Sequence, residues 1–231
     1  MRLTVSVRIV RSSTCAILFL TDAMKDAMNP PISLVLFDLD DVLCHYDRSA
    51  RIAHIATVVG RDAQAVRQAI WDSGLEGRAD AGLVSDADYL DELGALLNYP
   101  LTLDDWLDAR RAAMTPDAEA IALAKAVAAR HRIAVLTNNC CLLADYIHYL
   151  CPPVAEVFGA QVYASASFGA AKPSPDLYRR CVVHLGVAAA ETLFIDDVEA
   201  NVAGAIEAGL RAYRFTGNEA LARELACHRL L

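Results

Sequence analysis

The 231-residue chain has no C-x-x-C pair, no internal repeat, no low-complexity tract and no long apolar run. Its longest hydrophobic stretch, Cys15–Leu20, is far shorter than the roughly 20 residues a membrane-spanning helix requires, so no membrane association is expected. Basic residues are in the minority: 21 Lys and Arg stand against 29 Asp and Glu, a net charge of −8. That balance excludes a broad electrostatic grip on nucleic acid or acidic lipid, so an anionic ligand must be met locally. Seven cysteines, an odd number without framework spacing, argue against a disulfide scaffold and for reduced thiols in a cytoplasmic protein. A content of 55% apolar and 22% charged residues, with mean hydropathy +0.30, excludes disorder and fibre and suits one α/β unit or a core carrying an insertion.

Arg2, Arg8 and Arg11 ahead of Cys15–Leu20 faintly resemble a secretory leader, but the apolar run is too short. Residues 1–30 are therefore expected to be a non-essential N-terminal extension, since Met24 and Met28 precede the first strong strand pattern. That pattern, Ser33–Phe37, is continuously apolar and ends in acids, as a strand covered on both faces would be. Ile133–Leu136, Thr192–Ile195 and Arg211–Phe215 repeat it. Helix-period segments lie between them. Ser174-Pro175-Asp176 opens one that carries Leu177, Cys181 and Leu185 and stops at Gly186. Alternation of this kind predicts an α/β fold: a Rossmann-like parallel sheet with helices on both faces.

From about Asp47 to Thr115 the alternation fails, and helical patterns without a convincing strand take over. Ala63, Val66 and Ile70 fall on one helix face, while Ser85–Asp88 and Thr102–Asp105 read as capping signals ahead of Leu90, Leu93 and Leu97 and of Trp106. Thr115-Pro116-Asp117 is expected to open the helix leading back to the sheet. The predicted organisation is an α/β core of residues 31–46 and 115–231, interrupted by an inserted α-helical domain over 47–114.

Chemistry concentrates at strand ends. Asp38, Asp40 and Asp41 follow one apolar strand, and Asp196-Asp197 follow another. In a parallel sheet these ends share one edge, where such folds bind ligands. Carboxylates packed together repel, and a hard divalent cation with oxygen ligands resolves the conflict; Mg²⁺ fits. Thr137 ends a third strand and is expected to open a helix over Asn138–Tyr149 whose amide end favours an anion; Lys172 adds a positive charge. A carboxylate nucleophile, a second carboxylate, a hydroxyl, a lysine and metal-binding acids describe phosphoryl transfer through an aspartyl-phosphate.

The runs Phe37-Asp38-Leu39-Asp40-Asp41-Val42-Leu43, Thr137-Asn138, Lys172-Pro173 and Ile195-Asp196-Asp197 resemble, in order, the four motifs of the haloacid dehalogenase superfamily. The 99 residues between the first two leave room for that family's helical cap. The resemblance implies that Asp38 is the nucleophile and a metal ligand. Asp40 would be the general acid/base and lend the metal its backbone carbonyl. Thr137, Lys172 and, through its amide, Asn138 would hold phosphate, and Asp196 and Asp197 would hold magnesium. Asp40 stands where the namesake dehalogenases have an aromatic residue, which favours a phosphatase. Asp41 replaces the usual glycine, and a small adjustment of the loop is expected because Asp tolerates unusual φ. The segment from Gly77 to Leu90 and the following Trp106 helix are similar to the cap of sugar-phosphate phosphatases such as α-glucose-1-phosphate phosphatase.

His45, Trp71 and Arg78 are candidates for substrate selection; Trp71, Asp72, Glu76 and Arg78 read as a substrate loop, which a helix-to-helix turn explains nearly as well. The remaining histidines are scattered and lack ligand spacing. The expected activity is Mg²⁺-dependent hydrolysis of a small phosphorylated metabolite, a sugar phosphate or nucleotide, by a monomer or homodimer. Phosphomutase, a non-catalytic binding protein on the same scaffold and, last, 2-haloacid dehalogenase are the alternatives.

Overall fold

The structure, a computed structural model, describes residues 30–231. The extension expected over residues 1–30 lies, but for Pro30, outside them. Ile32–Leu231 form one compact unit. Its centre is a five-stranded parallel sheet of β1 (Leu34–Phe37), β4 (Arg132–Thr137), β5 (Val162–Ala164), β6 (Thr192–Asp196) and β7 (Arg211–Arg214), in the order β5-β4-β1-β6-β7. All four residues of β1 are buried, as a central strand with both faces covered requires. Alternate residues divide between two cores. Leu34, Leu36 and Phe194 pack on α10 (Pro175–Leu185) and α11 (Glu199–Glu207). Val35, Phe37 and Ile195 face α6 (Ala118–Ala128), α9 (Pro152–Phe158) and α12 (Asn218–Cys227). Each such side chain, fully buried, contributes about 1.5–3 kcal/mol.

Five helices occupy the insertion: α1 (Arg48–Val59), α2 (Ala63–Arg67), α3 (Leu75–Asp80), α4 (Asp86–Leu97) and α5 (Leu103–Ala112). The expected caps form. The Ser85 hydroxyl accepts from Asp88 N at 3.1 Å, and Thr102 and Asp105 make a reciprocal capping box. Among the described residues no helix is long and apolar enough to cross a membrane.

Several local expectations are corrected. The insertion does involve strands: β2 (Cys44–Tyr46) pairs antiparallel with β3 (Met114–Pro116) where the chain leaves and re-enters the core. Thr115 and Pro116 therefore lie in that ribbon, and Asp117 alone caps α6, accepting from Glu119 N and Ala120 N at 3.0 Å. Three-residue strands leave too little periodicity to read, and β5 escapes notice for the same reason. The helix expected over Asn138–Tyr149 starts only at Cys141 and divides at Tyr146 into α7 (Cys141–Asp145) and α8 (Ile147–Leu150), because Asn138 and Asn139 are drawn into the loop by side-chain hydrogen bonds. Ala63, the first residue of α2, is exposed, while Val66 and Ile70 are buried, Ile70 within a π-helical turn over Gln68–Asp72. Ser174 occupies the N-cap position of α10 without a side-chain cap bond, leaving Pro175 as the start signal.

Candidate active site

Asp38 follows β1 directly, and its amide donates to Ile195 O at 2.8 Å, extending the β1–β6 pairing. Asp41 then takes the left-handed conformation, φ +60°, which turns the chain so that the Leu43 and Cys44 amides donate back to Leu39 O. The side chain stabilises this turn where glycine would only permit it, since Oδ1 accepts from Tyr46 N and pairs with His45 Nδ1, both at 3.1 Å. The expected adjustment at Asp41 is thus a local hydrogen-bonded turn.

Because β1 lies between β4 and β6, Asp38, Thr137 and Asp196 emerge on one edge. Lys172 joins them from the loop before α10, its Nζ 2.6 Å from Asp38 Oδ1 and 2.7 Å from Asp196 Oδ2. The three charges are buried. Burial pushes the Asp38 carboxyl well above its usual range; Lys172 opposes this, and Asp196 and Asp40 add to it. Burial alone would lower the Lys172 ammonium, but Asp38 and Asp196 carry it above its ordinary value. Asn138 fixes the lysine through its backbone, Nδ2 donating to Lys172 O at 3.0 Å and Oδ1 accepting from Lys172 N at 2.8 Å. Asn201 Nδ2 and Val198 N hold Asp196, and Tyr178 in turn donates to Asn201 O at 2.7 Å. Thr137 Oγ1 accepts from Asn139 Nδ2 at 2.8 Å, leaving its own proton to give.

Carboxylate oxygens of Asp38, Asp196 and Asp197 lie within 4.8 Å of one another. Burial and the neighbouring Asp196 raise Asp197 as well. Three clustered oxygen donors, two of them buried and mutually repelling, fit a hard divalent cation.

The helical insertion closes the other side of a cleft of about 460 Å³ that contains Asp38, Thr137, Asn138, Lys172 and Asp197. Two contributors, Arg110 and Asp80, escaped the sequence reading, while Glu76 comes from the Trp71–Arg78 segment read there as a substrate loop. Arg110, from α5, places Nη2 2.6 Å from Asp40 Oδ2 and its guanidinium 3.9 Å from the Tyr46 ring centroid. Asp40 Oδ1 has no hydrogen-bond partner among the described residues. Glu76 is held by Arg51 at 2.5 Å and by the Tyr89 hydroxyl, also at 2.5 Å. Burial would raise the Glu76 carboxyl, yet Arg51 and these hydrogen bonds bring it below its usual value. Asp80 lines the cleft, and burial, with Glu76 adding to it, pushes its carboxyl up to about 7. The available signal was an arginine at a core position of a helical pattern: Arg110 follows Trp106 by four residues, and Arg51 precedes Ile55 by four.

Of the substrate-selection candidates, Trp71 lines the cleft. His45 does not; its exposed ring pairs with Asp41 beside the β2–β3 ribbon. Arg78 points away as well, pairing with Glu92 on the surface because residues two apart on α3 face different sides from Glu76 and Asp80.

Comparison with known proteins agrees with this geometry. The sequence model of the haloacid dehalogenase-like hydrolases matches residues 32–209. A Mycobacterium tuberculosis protein named Phosphatase MT3486 is 30% identical over 192 residues, 79% of this chain and 86% of the relative. Among solved structures, a predicted HAD-like family hydrolase from Porphyromonas gingivalis superposes with TM-score 0.70 at 26% identity, covering 84% of this chain and 98% of its own. A HAD family enzyme from Bacteroides thetaiotaomicron, solved in complex with magnesium and inorganic phosphate, shares the fold with TM-score 0.68 at 22% identity, covering 79% and 93%. The matched span contains the four strand-end motifs and the insertion between them, and the chain belongs to the haloacid dehalogenase-like hydrolase family.

Proposed function

We propose that this hydrolase is a Mg²⁺-dependent phosphatase of small phosphorylated metabolites, sugar phosphates or nucleotides, working through an aspartyl-phosphate on Asp38. The observation that carries the reading is the convergence of a buried Asp38–Lys172–Asp196 cluster with a second carboxylate, Asp40, anchored on one oxygen and unpartnered on the other. Asp38 attacks phosphorus in line, forming the acyl-phosphate bond as the ester P–O bond breaks. Asp40 gives a proton to the leaving oxygen, then takes one from the water that attacks phosphorus and releases phosphate and free Asp38. Lys172, Thr137 and the backbone amides of the loops meet the equatorial oxygens. Magnesium, held by Asp38, Asp196, Asp197 and the Asp40 carbonyl, would offset negative charge on the phosphoryl group. The name of the mycobacterial relative and the magnesium and phosphate in the Bacteroides enzyme support this assignment. The insertion, residues 47–114, serves as a cap that excludes water and admits the substrate. The odd number of cysteines without framework spacing supports a cytoplasmic location.

Turnover of p-nitrophenyl phosphate by the full chain tests the reading. With Mg²⁺, hydrolysis is expected; with EDTA, or in Asp38→Asn, at least about a 10³-fold loss, since the nucleophile or its charge balance is gone. Silence toward this ester and toward a panel of sugar phosphates and nucleotides would overturn it.

A further inference from the structure

We propose that Asp80 is the residue that selects the leaving group: it takes the hydroxyls of an uncharged, polyhydroxylated alcohol, and the cleft rejects esters that carry a second anion. This rests on the phosphatase reading above and names its substrate class. Apart from Asp197, which the metal would take, the other partly or fully buried charges in and beside the cleft are matched within the protein: Lys172 with Asp38 and Asp196, Arg110 with Asp40, Arg51 with Glu76. The side-chain oxygens of Asp80 have no hydrogen-bond or ion-pair partner among the described residues; its backbone oxygen alone is engaged, accepting from Ser165 Oγ at 2.6 Å. Asp80 is half-buried, and a carboxyl partly withdrawn from water without a protein partner is unfavourable in the free protein, so a ligand supplying donors lessens that penalty.

The charge pattern restricts the ligand. A carboxylate or second phosphate on the leaving group would sit beside Asp80 with no uncommitted buried cation to meet it. Arg48 borders the cleft but is exposed, and a solvated guanidinium gains little from an ion pair. An ammonium would pair with Asp80 but would also meet the fields of Arg110 and Arg51, both of which act on that carboxyl. Hydroxyls avoid both penalties, and a carboxyl whose protonation is balanced near neutral pH can accept from one and donate to another. Trp71, half-buried on the same side, offers a flat apolar wall to a sugar face. A site built to pair a substrate hydroxyl discriminates strongly, because an ester without it leaves the site's polar group unpaired.

The test has two arms. In the first, kcat/KM with Mg²⁺ is measured for ribose 5-phosphate, 2-phosphoglycolate, fructose 1,6-bisphosphate and p-nitrophenyl phosphate, in the wild type and in Asp80→Ala and Asp80→Asn. Ribose 5-phosphate should exceed the two esters that carry a second anion by at least about tenfold. In Asp80→Ala the ratio of ribose 5-phosphate to p-nitrophenyl phosphate should fall about tenfold, mostly through KM. Asp80→Asn, which keeps donor and acceptor and loses the charge, should hold that ratio within about threefold while narrowing the discrimination against 2-phosphoglycolate. In the second arm, calorimetric binding of the same esters to Asp38→Asn, with and without Asp80→Ala, reads selection without turnover. The inference is overturned by equal effects of Asp80→Ala on all four esters, or by preferred binding of 2-phosphoglycolate. Retained selection in the binding arm without wild-type turnover of any ester would overturn the phosphatase reading instead.

Discussion

Asp80 should limit the stability of the fold, and the limit should depend on pH. Burial, joined by Glu76 and Asp40 and opposed by Arg110 and Arg51, carries its carboxyl from the ordinary 3.8 to about 7. The folded chain then keeps a proton that the unfolded chain has already lost, so stability declines as pH rises from the ordinary value through about 7 and is level above it. The full penalty is about 4 kcal/mol, at 1.36 kcal/mol for each tenfold change in proton affinity. Asparagine does not titrate and keeps the shape. Asp80→Asn is therefore expected to be more stable than the wild type, with an advantage that grows by about 2–3 kcal/mol between pH 5 and pH 8. For a chain of this size that growth corresponds to roughly 5–10 °C in Tm. Urea unfolding at pH 5, 6, 7 and 8, followed by circular dichroism, reads it directly. Parallel stability curves for the two proteins would refute the reasoning, as would a destabilised variant at pH 8. A gain would mean that the residue is kept for the site at the expense of the fold.

Two further outcomes follow from the same geometry. A Cβ at Gly204, on α11, would overlap the backbone carbonyl of Pro173, so Gly204→Ala must move the loop that carries Lys172; Tm should fall and kcat should drop more than tenfold, whereas wild-type kcat would show that the loop yields without displacing the lysine. Arg110→Leu removes the anchor of Asp40 and is expected to lower kcat for p-nitrophenyl phosphate about 10–100-fold with little change in KM; a change confined to KM would mean that Arg110 contacts substrate and does not position Asp40.

Most of the sheet was legible because a strand covered on both faces must be apolar throughout. Leu34–Phe37, Ile133–Leu136 and Thr192–Ile195 advertise burial by composition alone. Val162–Ala164, Cys44–Tyr46 and Met114–Pro116 are too short for that signal, and their pairing depends on where distant segments bring them. Helix starts at Ser85, Thr102 and Asp117 could be read because a cap is a contact between residues two or three apart. The start at Cys141 could not, because Asn138 is engaged by Lys172, 34 residues on, and Asn139 N by Ser165, 26 residues on.

The sequence by itself determined the chemistry of the core half of the site: acids, a hydroxyl and a lysine at strand ends, in an order that admits phosphoryl transfer. Those positions are local consequences of strands ending, so a linear pattern encodes them. Only the tertiary structure decided the insertion's half. It brought Arg110 to Asp40 across 70 residues, turned Arg78 and His45 away, and left the Asp80 carboxyl without a partner among the described residues. Whether a charged side chain is paired, exposed or stranded depends on packing between helices remote in sequence, and that packing sets both the desolvation it suffers and the ligand able to relieve it.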